Sequence, residues 1–201
     1  MTQIDPRLRS ALIEQLARRD ARSTRVGWKI GAGERESIGG EIAVGHLTSG
    51  TLLESGSTYR GGGADLHADA EVGLELAAGQ RIAGYGVALE IVDLAGTDDP
   101  ESIVAANVFH RAVALGRMRA ALPPNLRAAL IVNGEERAAA PVGNELADKV
   151  AAVSRLLAAV DETLEAGDRI ITGSIVQVPV RPGDDVVADM GELGSIRLSI
   201  A

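Results

Sequence analysis

The sequence predicts an α+β fold with a curled, mixed β-sheet and flanking helices. Three observations lead there. Strand-like segments fill both ends of the chain around two helical patterns, without the regular strand–helix alternation of a parallel sheet. The strands alternate cleanly enough to bury one face. Only four of the 201 residues are aromatic, so the core must be built from Ala, Val, Leu and Ile.

Asp5-Pro6 starts a helix, with an acidic N-cap and proline at the first helical position. Leu8, Leu12 and Leu16 give it an apolar stripe that runs out among Arg18, Arg19 and Asp20. A Gly- and Ser-rich stretch follows over 27–63, with short extended pieces around Glu41–His46 and Gly50–Leu53 and a loop at Gly61-Gly62-Gly63. From His67 to Leu76 the pattern is that of a strand, Val72, Leu74 and Leu76 pointing one way and His67, Asp69, Glu71 and Glu75 the other. A second strand covers Val87–Val92. Asp99-Pro100-Glu101 opens a helix carrying Val104, Val108, Ala112 and Leu115 and ending at Gly116. Ala128–Val132 is a strand turned by Asn133-Gly134, a strong hairpin signal. The longest helix is predicted over Glu145–Ala166 and stopped by Gly167, its stripe marking core or subunit contact. The C-terminal part is strand and turn: Arg169–Val180, Asp185–Ala188 and Ser195–Ile200.

Composition excludes several classes. Twenty cationic against 28 acidic side chains leave a net charge of −8, which disfavours nucleic acid and anionic membranes as partners. No apolar run approaches the roughly 18 residues of a membrane span. The opening Met1–Pro6 lacks the basic and apolar regions of a secretory leader. The absence of cysteine rules out disulfides and thiolate chemistry and fits a cytoplasmic location. No Gly-x-Ser-x-Gly elbow is present for Ser-His-Asp catalysis, and His46, His67 and His110 lie too far apart in sequence to suggest a zinc site.

Carboxylates are the better lead. Asp69 and Glu71 sit two apart on one strand face, about 7 Å from each other. Glu90 lies in an otherwise apolar strand, where an unpaired carboxylate is costly. Three oxygen donors without thiols suit a hard cation, Mg²⁺ or Mn²⁺; the alternative is a solvated face with one ion pair to Arg. Only Lys29 and Lys149 are lysines, against 18 arginines.

Gly27-Trp28-Lys29-Ile30-Gly31, Gly45-His46-Leu47-Thr48, Asp69-Ala70-Glu71-Val72 and Ala88-Leu89-Glu90-Ile91-Val92-Asp93 occur in that order. They are followed by Asn107, Val132-Asn133-Gly134, Gly167 to Ser174, Pro182-Gly183-Asp184 and Leu193-Gly194-Ser195. Together they resemble the 2-keto-4-pentenoate hydratase family of the fumarylacetoacetate hydrolase superfamily. The resemblance implies an N-terminal helix over 1–25 and a catalytic unit over 26–201, forming one domain overall. It implies a divalent cation held by Asp69, Glu71 and Glu90, a catalytic and substrate-binding Lys29, and Ser174 near the substrate carboxylate. Homo-oligomers are common in that family. Three departures stand out: Asp rather than Glu at position 69, Ala32-Gly33 where the family has Thr-Ser, and a short segment before the lysine motif.

The activity so implied is a metal-dependent hydratase, a lyase acting on a small 2-oxo or 2-hydroxydienoic acid of the kind met in aromatic catabolism. Two alternatives keep the scaffold. One is decarboxylation or C–C hydrolysis of a 2-oxo acid on the same metal; the other is a non-catalytic partner subunit. Glu75, Asp93 and His67 are the candidates for handling water.

Overall fold

The computed structural model describes residues 4–143 and 145–201. In chain order the elements are α1 (Pro6–Ala17), β1 (Arg25–Gly31), β2 (Ala43–Thr48), β3 (Leu52–Leu53), β4 (Thr58–Tyr59), β5 (Leu66–Leu76) and β6 (Ile82–Asp93). They continue with α2 (Pro100–Ala105), β7 (His110–Leu115), β8 (Arg127–Val132), β9 (Glu135–Pro141) and α3 (Leu146–Ala158). The chain finishes with β10 (Arg169–Ile171), β11 (Val176–Pro179), β12 (Asp185–Asp189) and β13 (Ser195–Ile200).

Two mixed sheets result, and the α+β expectation holds. The larger, curled sheet runs β2-β1-β10-β5-β6-β7-β3, with β11 paired to β5 beyond β10. The smaller runs β4-β13-β12-β8-β9. Their facing surfaces share one core, in which Val72, Leu74, Leu89 and Ile91 of the first meet Leu130, Val186, Ile196 and Leu198 of the second. The opposite face of the large sheet carries a separate apolar cluster of Leu47, Ala88, Val113 and Ile171. A strand buried on both faces reads as continuous apolar sequence, so polar groups on that second face are exceptional and informative.

The helices follow their caps. Asp5 accepts from the Arg7 amide with proline at the start of α1, and Asp99 caps α2 through the Ser102 amide. Leu8 and Leu12 bury the inner face of α1. Gln15 ties α1 to both neighbours by donating to the carbonyls of Val44 (3.0 Å) and Val104 (2.6 Å). Among the described residues no helix is long and apolar enough to cross a membrane.

Four elements differ from the sequence expectation. The helix expected from Asp99 to Leu115 stops at Ala105, and His110–Leu115 is a strand. Asn107, Val108 and Phe109 all take positive φ (68°, 52° and 62°), which reverses the chain where side-chain spacing still looks helical. The longest helix ends at Ala158, not Ala166; Val160 and Leu164 stay buried from turns rather than helix, so the apolar spacing outlasts the helical backbone. Arg25–Gly31 is a strand, hidden from pattern reading because its last five residues are all buried. The expected strand Arg169–Val180 is broken at Thr172–Ile175, with Gly173 at φ 89°. The α3 stripe packs inside the chain, so self-association is not needed to cover it.

Candidate metal centre

Strand register assembles the acidic cluster. Asp69 and Glu71 are alternate residues of β5, and Asp69 lies directly opposite Glu90 of β6. Paired residues on neighbouring strands share a face, so all three carboxylates project together, on the side away from the two-sheet core. One oxygen from each lies within 4.8 Å of the others, inside the reach of a common cation. All three are buried, Glu71 and Glu90 to 1% exposure. The structure thus brings together the three carboxylates that the sequence singled out.

The surrounding donors are unequal. Glu71 Oε2 accepts from the Gly173 amide at 2.7 Å, which explains the break between β10 and β11. Glu90 Oε1 accepts from Lys29 Nζ at 2.7 Å and pairs with His110 Nδ1 at 2.7 Å. A carboxylate needs a donor, so Nδ1 carries the His110 proton and Nε2 accepts from the Thr51 hydroxyl at 2.9 Å. Asp69 Oδ1 is buried with no partner among the described residues.

Charge follows the same division. Burial, reinforced by the Glu90 charge, pushes the Asp69 carboxyl up to about 7. Burial and the charges of Glu90 and Asp69 raise Glu71 well above the usual carboxylate range. Glu90 is lowered: burial opposes ionisation, but the Lys29 ammonium and the His110 hydrogen bond outweigh it. His110 is lowered by burial and stays neutral. The surroundings thus favour the ionised form of Glu90 and disfavour it at Asp69 and Glu71, a bias that a bound cation would offset.

Lys29 reaches this face from β1, two strands away from β5. Its ammonium bridges Glu90 and the Val108 carbonyl (2.8 Å), and it is 3% exposed. Gly45 lies opposite Lys29 in β2; a Cβ there would sit 2.7 Å from Lys29 Cγ, so glycine clears the path of the stem. Lys149, the other lysine, donates to the Thr172 carbonyl at 2.5 Å and steadies the Thr172–Ser174 segment from α3.

The cluster lines a cavity of about 500 Å³, together with Lys29 and Ser174. Four polar lining residues were not anticipated: Glu34, Arg35, Glu36 and Gln177. Gln177 faces Asp69 across the β5–β11 ladder, a relation visible only once that pairing is known. Glu36 is 8% exposed and takes the Gly33 amide at 2.7 Å; no local pattern marks it. The expected water-handling residues are elsewhere. Glu75 pairs with Arg169, Asp93 with Arg111 and His67 with Asp65, and none lines this cavity.

Comparison with known proteins agrees with this architecture. The family model for the fumarylacetoacetate hydrolase C-terminal region matches residues 70–201. The chain is similar to the structure of 4-oxalocrotonate decarboxylase from Pseudomonas putida G7 complexed with magnesium and adipate. The TM-score is 0.81 at 22% identity, covering 96% of this chain and 86% of that one. It is also similar to fumarylpyruvate hydrolase from Pseudomonas aeruginosa in complex with Mn²⁺ and pyruvate (TM-score 0.62, 16% identity, covering 89% of this chain and 90% of that one). A third is 2-hydroxyhepta-2,4-diene-1,7-dioate isomerase from Mycobacterium marinum (TM-score 0.63, 15% identity, covering 89% and 76%). No curated protein matches the sequence. At these identities the likeness to solved structures is one of fold.

Proposed function

The chain belongs to the fumarylacetoacetate hydrolase family, and from that premise we propose that it is a metal-dependent lyase acting on a small 2-oxo or 2-hydroxydienoic acid. One observation carries the reading: three buried carboxylates converge within 4.8 Å in the wall of a small-molecule-sized cavity. Burying them together without an added cation is unfavourable, and the unpartnered Asp69 Oδ1 is the kind of orphan that a ligand satisfies. Asp69, Glu71 and Glu90 fit a hard divalent ion such as Mg²⁺ or Mn²⁺. Such an ion, when bound, would act as a Lewis acid toward the carboxylate and oxo oxygens of the substrate.

The protein groups divide the remaining tasks. His110 and Lys29 both engage Glu90 Oε1, which leaves Oε2 to face the site. Lys29 holds positive charge at the pyruvyl end, and the Ser174 hydroxyl and Gln177 amide, both lining the cavity, orient the carboxylate there. Glu36 is the buried lining carboxylate outside the cluster, and we assign it the proton transfer that hydration or enol–keto exchange demands. Hydration is the reaction implied by the sequence motifs. Decarboxylation is the second reading, favoured by the high structural similarity to an oxalocrotonate decarboxylase.

The test has two parts. Calorimetric titration with Mg²⁺ and Mn²⁺ should show one site per chain, lost in Asp69→Asn. A panel of 2-oxo and 2-hydroxydienoic acids, followed by ultraviolet absorbance and by CO₂ release, should then reveal turnover and separate hydration from decarboxylation. Absence of both ion binding and turnover would overturn the proposal.

A further inference from the structure

The groups around Glu90 do more than neutralise it. Lys29 Nζ and His110 Nδ1 each stand 2.7 Å from Oε1, and a carboxylate oxygen accepts about two such bonds. Lys29 alone would leave one lone pair free. His110 is therefore the group that closes Oε1, and its placement depends on an irregularity in the sheet.

In the β6–β7 ladder Glu90 faces Val113 and Ile91 faces Ala112, but Val92 faces His110 rather than Arg111. The extra residue is Arg111, which pairs with Asp93. Regular pairing would set Arg111 opposite Val92 and turn His110 to the other face of the sheet. The bulge re-aims His110 onto the face of Glu90. The ring is then held from behind: Thr51 Oγ1 stands 2.9 Å from Nε2. The Thr51 carbonyl takes the Val113 amide at 2.9 Å, which fastens that turn to β7 itself. The Glu90 and His110 side chains are each 1% exposed. Neither His110 nor Thr51 lines the cavity, so the pair acts on an occupant of the acidic cluster only through Glu90.

We propose that His110, backed by Thr51, is a positioning residue that restricts Glu90 to one free oxygen and so makes the cluster discriminate between divalent cations by size. The inference rests on the metal-dependent reading above and adds selectivity to it. A large ion such as Ca²⁺ takes about 6–8 oxygens at roughly 2.3–2.6 Å, often both oxygens of one carboxylate. Mg²⁺ and Mn²⁺ suit an octahedral set with one oxygen from each carboxylate, the other positions going to water or substrate. Glu90 can serve the smaller ions without losing a bond. To give a large ion both oxygens it must surrender a charge-assisted hydrogen bond and leave a buried N–H unpaired.

The experiment measures dissociation constants for Mn²⁺, Mg²⁺ and Ca²⁺ by calorimetry on the metal-free full chain, with no substrate present. Wild type should bind Mn²⁺ at least about tenfold more tightly than Ca²⁺. His110→Leu opens Oε1 and should reduce that ratio by about tenfold, the partners behind metal ligands being worth roughly 10- to 100-fold in affinity. His110→Asn, whose amide can donate from the place of Nδ1, should keep most of the discrimination. Thr51→Val should lose part of it and Thr51→Ser none, with Mg²⁺ moving as Mn²⁺ does throughout. A residue that merely supports the fold would weaken all three cations alike and leave the ratio where it was. Equal binding of Mn²⁺ and Ca²⁺ by wild type would overturn the proposal without recourse to any variant. So would a ratio that His110→Leu and Thr51→Val leave unchanged. Either result leaves the metal-dependent reading in place, whereas failure of all three cations to bind overturns both.

Discussion

The Lys29–Glu90 pair offers a test that needs no substrate. Lys29→Met keeps an unbranched stem of similar length and removes the ammonium. At 2.7 Å and an effective dielectric near 20, the gross attraction is about 6 kcal/mol. Desolvation of both partners takes back part of this. Removing one member of a buried pair then costs about 3–5 kcal/mol, because the remaining charge stays buried. In this protein the stranded Glu90 would also face Asp69 and Glu71. For a chain of this size the loss corresponds to a fall in Tm of roughly 10 °C. The assay is thermal and urea denaturation of wild type, Lys29→Met, Glu90→Gln and the double variant, in EDTA at pH 8. The double variant should be more stable than Lys29→Met alone, with a coupling energy of about 2 kcal/mol or more, since neither charge is then left over. Saturating Mg²⁺ should shrink the Lys29→Met penalty by supplying positive charge to the same carboxylates. Single costs that add to within about 0.5 kcal/mol would refute the reasoning and reduce Lys29 to a packing residue.

Two further outcomes follow from the same geometry. The Asp69 carboxyl is raised from 3.8 to about 7, so the folded, metal-free chain holds a proton that the unfolded chain has lost. Its stability should fall as pH rises from about 4 through about 7. Ion binding must displace that proton, and Mg²⁺ affinity should weaken by about tenfold from pH 8 to pH 6 on Asp69 alone, with Glu71 adding in the same direction; a pH-independent dissociation constant would contradict this. Glu36→Gln keeps an oxygen for the Gly33 amide but removes the base, so kcat should drop by about 10²-fold with KM little changed, as read by steady-state kinetics on the identified substrate.

The acidic cluster was legible because β5 alternates and because Glu90 interrupts an apolar strand. Both are period-two signals that survive without a structure. Lys29 was legible only through its motif and its rarity; its strand is buried throughout its second half, so no alternation betrayed it. His110 was set aside as one of three scattered histidines, yet together with Lys29 it fixes Glu90. Its role depends on β7 being a strand beside β6, and the sequence had assigned that segment to a helix. Arg35 and Glu36 lie in a loop, where side-chain direction comes from backbone turns rather than from a repeat.

The two misreadings with the largest consequences lie at the same place, and strain connects them. Asn107, Val108 and Phe109 adopt left-handed φ in succession, a conformation that disfavours β-branched Val108 in particular. Each such residue costs about 1–3 kcal/mol and persists only where its surroundings over-determine it. Here the restraints are identifiable. The Asn107 side chain accepts from the His46 amide at 2.7 Å and donates to the His46 carbonyl at 3.0 Å, locking the turn onto β2. The Val108 carbonyl takes the Lys29 ammonium. Gly31 admits the Val108 side chain, since a Cβ there would stand 2.4 Å from Cγ1. Ala32-Gly33 lies in the same region: a Cβ on Gly33 would lie 2.9 Å from both Glu36 oxygens, so glycine there makes room for that carboxylate. Local propensity fails where Lys29, Glu36 and the Val108 turn meet, and it fails there because the backbone is held against its preference to aim those groups into one cavity.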